Sequence, residues 1–214
     1  MPGRTRVTAV TSLDDDVYIA RWRSDHVEVY HAVTFQFQGR ITVAGLRSVQ
    51  GLAVCARHQC LYVSETTHQR VHRADLRGGG LPTDWTVSNY PCGLSVNKSH
   101  NVVVACRLAD KLEEYTTRGS FVREIRLTLK SPSHAVQLST GAYAVSHSRT
   151  LGVVSVVAAD DGRVVSRYPP SLASDVGPVG PLRDPSSVAV KKNGDILVTA
   201  VSYTHLTLPT ILRV

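Results

Sequence analysis

Apolar and polar positions along this chain follow one phrase used five times. A small opening residue leads into a short apolar strand, a polar turn, and a second apolar strand that closes on a small residue. The copies are Thr8–Ala20 (TAVTSLDDDVYIA), Gly51–Ser64 (GLAVCARHQCLYVS), Gly93–Ala105 (GLSVNKSHNVVVA), His134–Ser146 (HAVQLSTGAYAVS) and Ser187–Ala200 (SVAVKKNGDILVTA). Valine and threonine enrichment predicts strands, and no window sustains a helical period. Asn193-Gly194 and Asp161-Gly162 stand between alternating apolar runs, a pattern that predicts tight hairpins, and Arg118-Gly119 does the same between LEEY and FVREIRL. The chain reads as all-β.

The residue closing the second strand recurs at Ile19, Val63, Val104, Val145 and Val198, in steps of 44, 41, 41 and 53 residues. A period near 40 with several short strands per unit predicts four-stranded propeller blades, each needing its neighbour to bury its apolar face. The long last step is accounted for by the Pro/Gly-rich stretch Tyr168–Pro185, read as a loop between blades. Beyond the second strand the units continue in parallel. A polar loop comes first, and then Val27, Val71, Leu112 and Val153 restart an apolar strand, preceded by His26, Arg70, Lys111 and Gly152.

The phrase Gly-Leu-Ala-Val, turn, Leu-Tyr-Val-Ser, loop, Gln-Arg-Val resembles the NHL repeat. Tyr90-Pro91-Cys92-Gly93-Leu94 and Asp184-Pro185-Ser186-Ser187-Val188 are similar to that repeat's opening. The resemblance covers Thr8 to Ala200 and implies a β-propeller closing with six blades, of which this chain holds about four and a half. It departs from the family where an Asp normally follows the second strand, since Arg21, Glu65, Cys106 and His147 stand there, and the fourth copy lacks the opening Gly. Residues 1–200 are therefore expected to form a truncated NHL-like propeller. Residues 201–214 break the pattern: Val201–Thr210 (VSYTHLTLPT) resembles translated sequencing adapter, so this tail is expected to be non-native.

Composition narrows the function classes. The 214 residues are 43% hydrophobic, enough for one substantial core, and carry a net charge of +7 with a pI near 9.5. The basic residues are scattered, without the run expected of a nucleic-acid tail, and aromatics at 6% are too few for an extended base-stacking platform. No apolar stretch is long enough to span a bilayer, and the N-terminus lacks a signal-peptide core, so the chain as written is expected to be cytoplasmic, with no membrane partner. Of its four cysteines, the repeat register places Cys55 opposite Cys60 and Cys92 opposite Cys106. Cys55–Cys60 and Cys92–Cys106 are thus candidate disulfides, against the alternative of four reduced, half-buried thiols.

Catalytic chemistry is hard to find. Asp14-Asp15-Asp16 lacks the spacing and glycine of a calcium loop and reads as an acidic hairpin turn. On a strand His68 and His72 lie about 13 Å apart and cannot share a zinc ion. Cys55, His58 and Cys60 lack a second ligand pair, and no phosphate loop or nucleophile elbow is present. No catalytic residue, metal or cofactor is expected. What the repeat does gather is a loop face: the turns after each second strand should bring Arg21, Trp22, Arg23, His68, Arg107 and Arg149 to one end of the disc, beside Arg70 and Lys111. The expected function is non-catalytic recognition of a protein or peptide through this face. The alternatives are RNA binding to a basic rim and a fragment of a metal-dependent lactonase or lyase-like propeller.

Overall fold

A computed structural model of the chain describes residues 6–78, 82–148, 152–168, 182, 184–200 and, as backbone, 210–212. Five antiparallel sheets follow one another in chain order. Blade 1 holds β1 (Val7–Leu13), β2 (Asp16–Arg21), β3 (His26–His31) and β4 (Phe37–Thr42), and blade 2 holds β5 (Val49–Cys55), β6 (Cys60–Glu65), β7 (Arg70–Asp75) and β8 (Thr83–Thr86). Blade 3 comprises β9 (Pro91–Val96), β10 (Val102–Cys106), β11 (Lys111–Tyr115) and β12 (Phe121–Arg126). Blade 4 comprises β13 (Pro132–Gln137), β14 (Tyr143–His147), β15 (Val153–Val157) and β16 (Val164–Tyr168). The fifth sheet has β17 (Pro185–Val190), β18 (Ile196–Ala200) and β19 (Thr210–Leu212). Four complete sheets and one of three strands make a partial propeller, as the repeat count predicts. The backbone of 210–212 pairs with Ile196–Val198; the rest of the expected non-native tail, and the Pro/Gly-rich loop at 169–181, lie outside the described residues.

The core lies between blades. Leu61 and Val63 of β6 pack with Val27, Leu46 and Leu52 against blade 1, while Cys60 and Tyr62 of the same strand pack with Leu94 and Val104 of blade 3. In β10, Val102 and Val104 face blade 2, whereas Val103 and Ala105 face Tyr143 and Val145 of blade 4. A strand covered on both faces has no need of polar alternation, which is why the second strand of each copy reads as a continuous apolar run. The outer strands β4 and β16 are largely exposed, and β4 alternates between half-buried and exposed positions from Gln38 to Thr42. Among the described residues no helix is long and apolar enough to cross a membrane.

The register bears out part of the cysteine reading and corrects the rest. Cys55 is the cross-strand partner of Cys60, and Val96 of Val102. Cys106 pairs with Pro91 rather than Cys92, because a bulge shifts the ladder between Val104 and Cys106. All four cysteines are buried free thiols, so neither the Cys55–Cys60 nor the Cys92–Cys106 disulfide is formed. Asp14 and Asp15 form the two-residue turn between β1 and β2, with Asp14 at φ 51°.

Candidate functional site

One irregularity, repeated in every blade, builds one end of the central channel. The pairing of first and second strands slips near its start, between Val7 and Ala9, Val49 and Gly51, Pro132 and His134, Pro185 and Ser187, and opposite Val104–Cys106 in blade 3. A bulge leaves one residue outside the ladder and re-aims it. The residues so released, Thr8, Gln50, Ser133 and Ser186, line a channel of about 1000 Å³, together with Cys92 in blade 3.

Beside them stands the residue that follows each second strand. Its N–H donates to the carbonyl preceding the first strand of the same blade: Trp22 to Arg6 (2.8 Å), Thr66 to Ser48 (3.1 Å), Arg107 to Tyr90 (3.0 Å) and Ser148 to Ser131 (3.1 Å). This repeated bond sets where the chain leaves the sheet. Trp22, Arg107 and Ser148 line the same channel, and Trp22 keeps 39% of its surface exposed. The Arg107 guanidinium lies 5.6 Å from the Tyr90 ring centre, and its Nη2 donates to Ser133 Oγ at 3.3 Å.

The position where the family resemblance implied an Asp points the other way, into each blade. Glu65 there accepts hydrogen bonds from the N–H groups of Ser48 (3.2 Å), Thr67 (2.9 Å) and His68 (2.7 Å), so it ties two loops together. Burial works to raise its pKa, but the N–H donors and His68 prevail and hold it below the usual carboxylate value. His147 does the same work in blade 4: its Nδ1–H donates to the Lys130 carbonyl at 2.9 Å, and its Nε2 accepts from the Ser155 hydroxyl at 2.8 Å. In blade 3 Cys106 donates to Glu113 (3.5 Å), and in blade 1 Arg21 pairs with Glu28 (2.9 Å). Glu65 and His147 thus tie the strand end to the loop that precedes the first strand, whereas Cys106 and Arg21 bond a glutamate of the third strand of their blade.

The predicted site residues therefore separate into two groups. Trp22 and Arg107 reach the channel. Arg21, Arg70 and Lys111 instead engage carboxylates of their own blades: Glu28, Asp84, and both Glu113 and Glu124 at 2.8 Å. His68 is half exposed and bonds Glu65, while Arg23 is exposed in the loop at φ 61°. Arg149 lies outside the described residues. Sequence reasoning missed Arg6, Tyr90 and the serines of the channel wall; the Pro91 and Pro132 that open the first strands mark the bulges nearby.

His134 holds the channel wall together. Its Nδ1 accepts from the Val188 N–H at 3.2 Å, leaving Nε2–H to donate to the Leu94 carbonyl at 2.9 Å, so one imidazole bridges three blades. Burial lowers its pKa, keeping it neutral. Its position in the repeat matches Gly51 and Gly93, where blades approach too closely for a side chain: a Cβ on Gly93 would lie 2.6 Å from the Ser133 carbonyl oxygen. Among the described residues no group of three or more His, Cys, Asp or Glu side chains is placed to hold a metal ion.

Comparison with solved structures identifies the architecture. The chain superposes on Kuenenia stuttgartiensis hydrazine synthase with a TM-score of 0.73 and 19% identity, covering 91% of this chain and 55% of that one. Virginiamycin B lyase from Staphylococcus aureus gives 0.71 at 13% identity, with coverages of 92% and 64%. The Myceliophteria thermophila Cps50 (Swd1) β-propeller domain gives 0.67 at 14%, covering 92% and 62%. The fold is a β-propeller. The chain spans only 55 to 64% of the length of these three relatives, and identities this low speak for the fold alone. No protein-family pattern matches the chain, and no curated protein does.

Proposed function

We propose that this chain is a non-catalytic recognition module that binds a protein or peptide partner at the bulge-lined mouth of its propeller channel. The observation that carries this reading is Trp22, a large side chain left 39% exposed at a mouth it shares with Arg6, Tyr90, Arg107 and the serines and threonine released by the bulges. Aromatic anchors in such concave settings dominate binding energy at interfaces. The NHL resemblance supports the same reading, because propellers of that kind serve as binding domains within regulatory proteins. RNA binding through a basic rim draws less support, since Arg21, Arg70 and Lys111 are each neutralised within their own blades. The virginiamycin B lyase neighbour keeps an enzymatic propeller in view as the alternative.

Substituting Trp22→Ala tests the proposal. A partner recognised at the mouth should lose about tenfold or more in affinity at moderate salt, measured by titration calorimetry. Unchanged affinity in a folded variant refutes the assignment of this face. Residues 201–214 are separately proposed to be adapter-derived; resequencing the transcript beyond the codon for Ala200 tests that, and a native reading frame through VSYTHLTLPT overturns it.

A further inference from the structure

We propose that Arg107, Ser133 and Ser148 form a seat for a single carboxylate group, through which an acidic side chain or the C-terminus of a peptide enters the channel mouth. The inference rests on the reading of the mouth as a peptide-recognition face and names the chemistry recognised there. Three buried polar atoms of the channel wall have no hydrogen-bond partner: Arg107 Nε and Ser148 Oγ at the bulged end, and Ser95 Oγ further along β9. Ser148 is only 3% exposed, so its hydroxyl carries its desolvation penalty without compensation. Arg107 and Ser148 belong to adjoining blades: the Ser133 hydroxyl of blade 4 accepts from Arg107 Nη2, and the Ser131 carbonyl, two residues before Ser133, accepts the Ser148 N–H.

Arg107 is held ready for an anion. Stacking on Tyr90 and bonding to Ser133 fix its guanidinium, yet among the described residues no carboxylate pairs with it, in contrast to Arg21, Arg70 and Lys111. A fixed guanidinium fork with hydroxyl donors beside it matches the planar, two-oxygen geometry of a carboxylate. The charge around it argues for one carboxylate rather than a phosphate chain. Among the described residues lining the channel only Arg6 and Arg107 are cationic, and Asp184 lines it as well. A polyanion requires a series of cations along its track.

The test is selection of random dodecapeptides displayed with free C-termini on the full chain, followed by calorimetry of the resynthesised winners. Selected peptides should need a carboxylate. Amidating the C-terminus or changing Glu to Gln in the peptide tells which source supplies it, and either loss should reach about tenfold. Arg107→Gln should weaken binding about 10- to 100-fold, with Arg107→Lys restoring only part. Ser148→Ala should weaken binding about fivefold while the melting temperature holds or rises, because the variant removes an unpaired buried hydroxyl. Peptides that depend on Trp22 but ignore their own charge and Arg107→Gln would overturn the carboxylate seat and leave the recognition face standing. Absence of any peptide sensitive to either Trp22→Ala or Arg107→Gln would overturn both. Tight, salt-sensitive binding of a uridine oligonucleotide that Arg107→Gln abolishes would replace the carboxylate by phosphate and also overturn the proposal. If Arg107→Gln fails to fold, judged by near-ultraviolet circular dichroism, Ser148→Ala alone decides.

Discussion

Replacing Glu113 by Gln should remove the most heavily bonded carboxylate in the third blade. Glu113 is 3% exposed on β11, yet its two oxygens accept from Lys111 Nζ (2.8 Å), the Ser88 N–H (3.0 Å), the Ser88 hydroxyl, the Tyr115 hydroxyl (2.8 Å) and the Cys106 thiol (3.5 Å). Burial alone would raise its pKa, but the Lys111 and Ser88 donors, with Tyr115, overcome it and bring the value from 4.5 down to about 2. A depressed carboxylate stabilises the fold above its unfolded-state pKa and loses that contribution as pH falls through the folded one. The shift corresponds to about 3 kcal/mol at pH 7 and to about 1 kcal/mol at pH 3, where much of it has been titrated away. Urea unfolding of the parent and of Glu113→Gln at both pH values measures the difference directly. Glu65 and Glu114, whose pKa values are also lowered, are common to both proteins and cancel. The gap between the two curves should narrow by about 2 kcal/mol, more than half of its value, from pH 7 to pH 3. Parallel loss of stability in the two proteins would refute the assignment of these donors to an ionised Glu113.

Gly93→Ala should press a methyl group between blades 3 and 4, against the Ser133 carbonyl and the His134 Cα at 2.8 Å. Overpacking against backbone costs about 2 kcal/mol, or about 4–8 °C in melting temperature, and an unchanged melt by circular dichroism would contradict the close approach. The buried thiols should react slowly with iodoacetamide in the native state, Cys106 least of all because burial and Glu113 push its pKa up. Mass spectrometry should then count four labels in urea without reductant; two or fewer would reveal a disulfide.

How far the site was legible from sequence depended on the distance over which each contact acts. The Cys55–Cys60 and Val96–Val102 pairings span one short turn, so counting along the repeat was enough. Cys92 escaped because a bulge adds one residue without disturbing the apolar pattern around it. Arg21, Arg70 and Lys111 read as a basic rim because the carboxylates that pair with them lie on neighbouring strands, Glu28 on β3, Asp84 on β8 and Glu124 on β12, joined for Lys111 by Glu113 of its own strand β11. Arg107, by contrast, looked like the others in sequence and differs in having Tyr90 and Ser133, rather than a carboxylate among the described residues, around it.

The sequence by itself determined that this chain is a stack of antiparallel sheets. Short apolar runs, polar turns and a repeat near 40 residues act locally, and every copy states them again. Tertiary structure alone decided which polar residues are satisfied and which face the channel. That choice turns on a one-residue bulge per blade and on carboxylates supplied by other strands, and neither leaves a periodic trace along the chain. The same repeated position therefore holds Arg21, Glu65, Cys106 or His147 facing inward, while the next residue turns Trp22, Arg107 and Ser148 toward the channel.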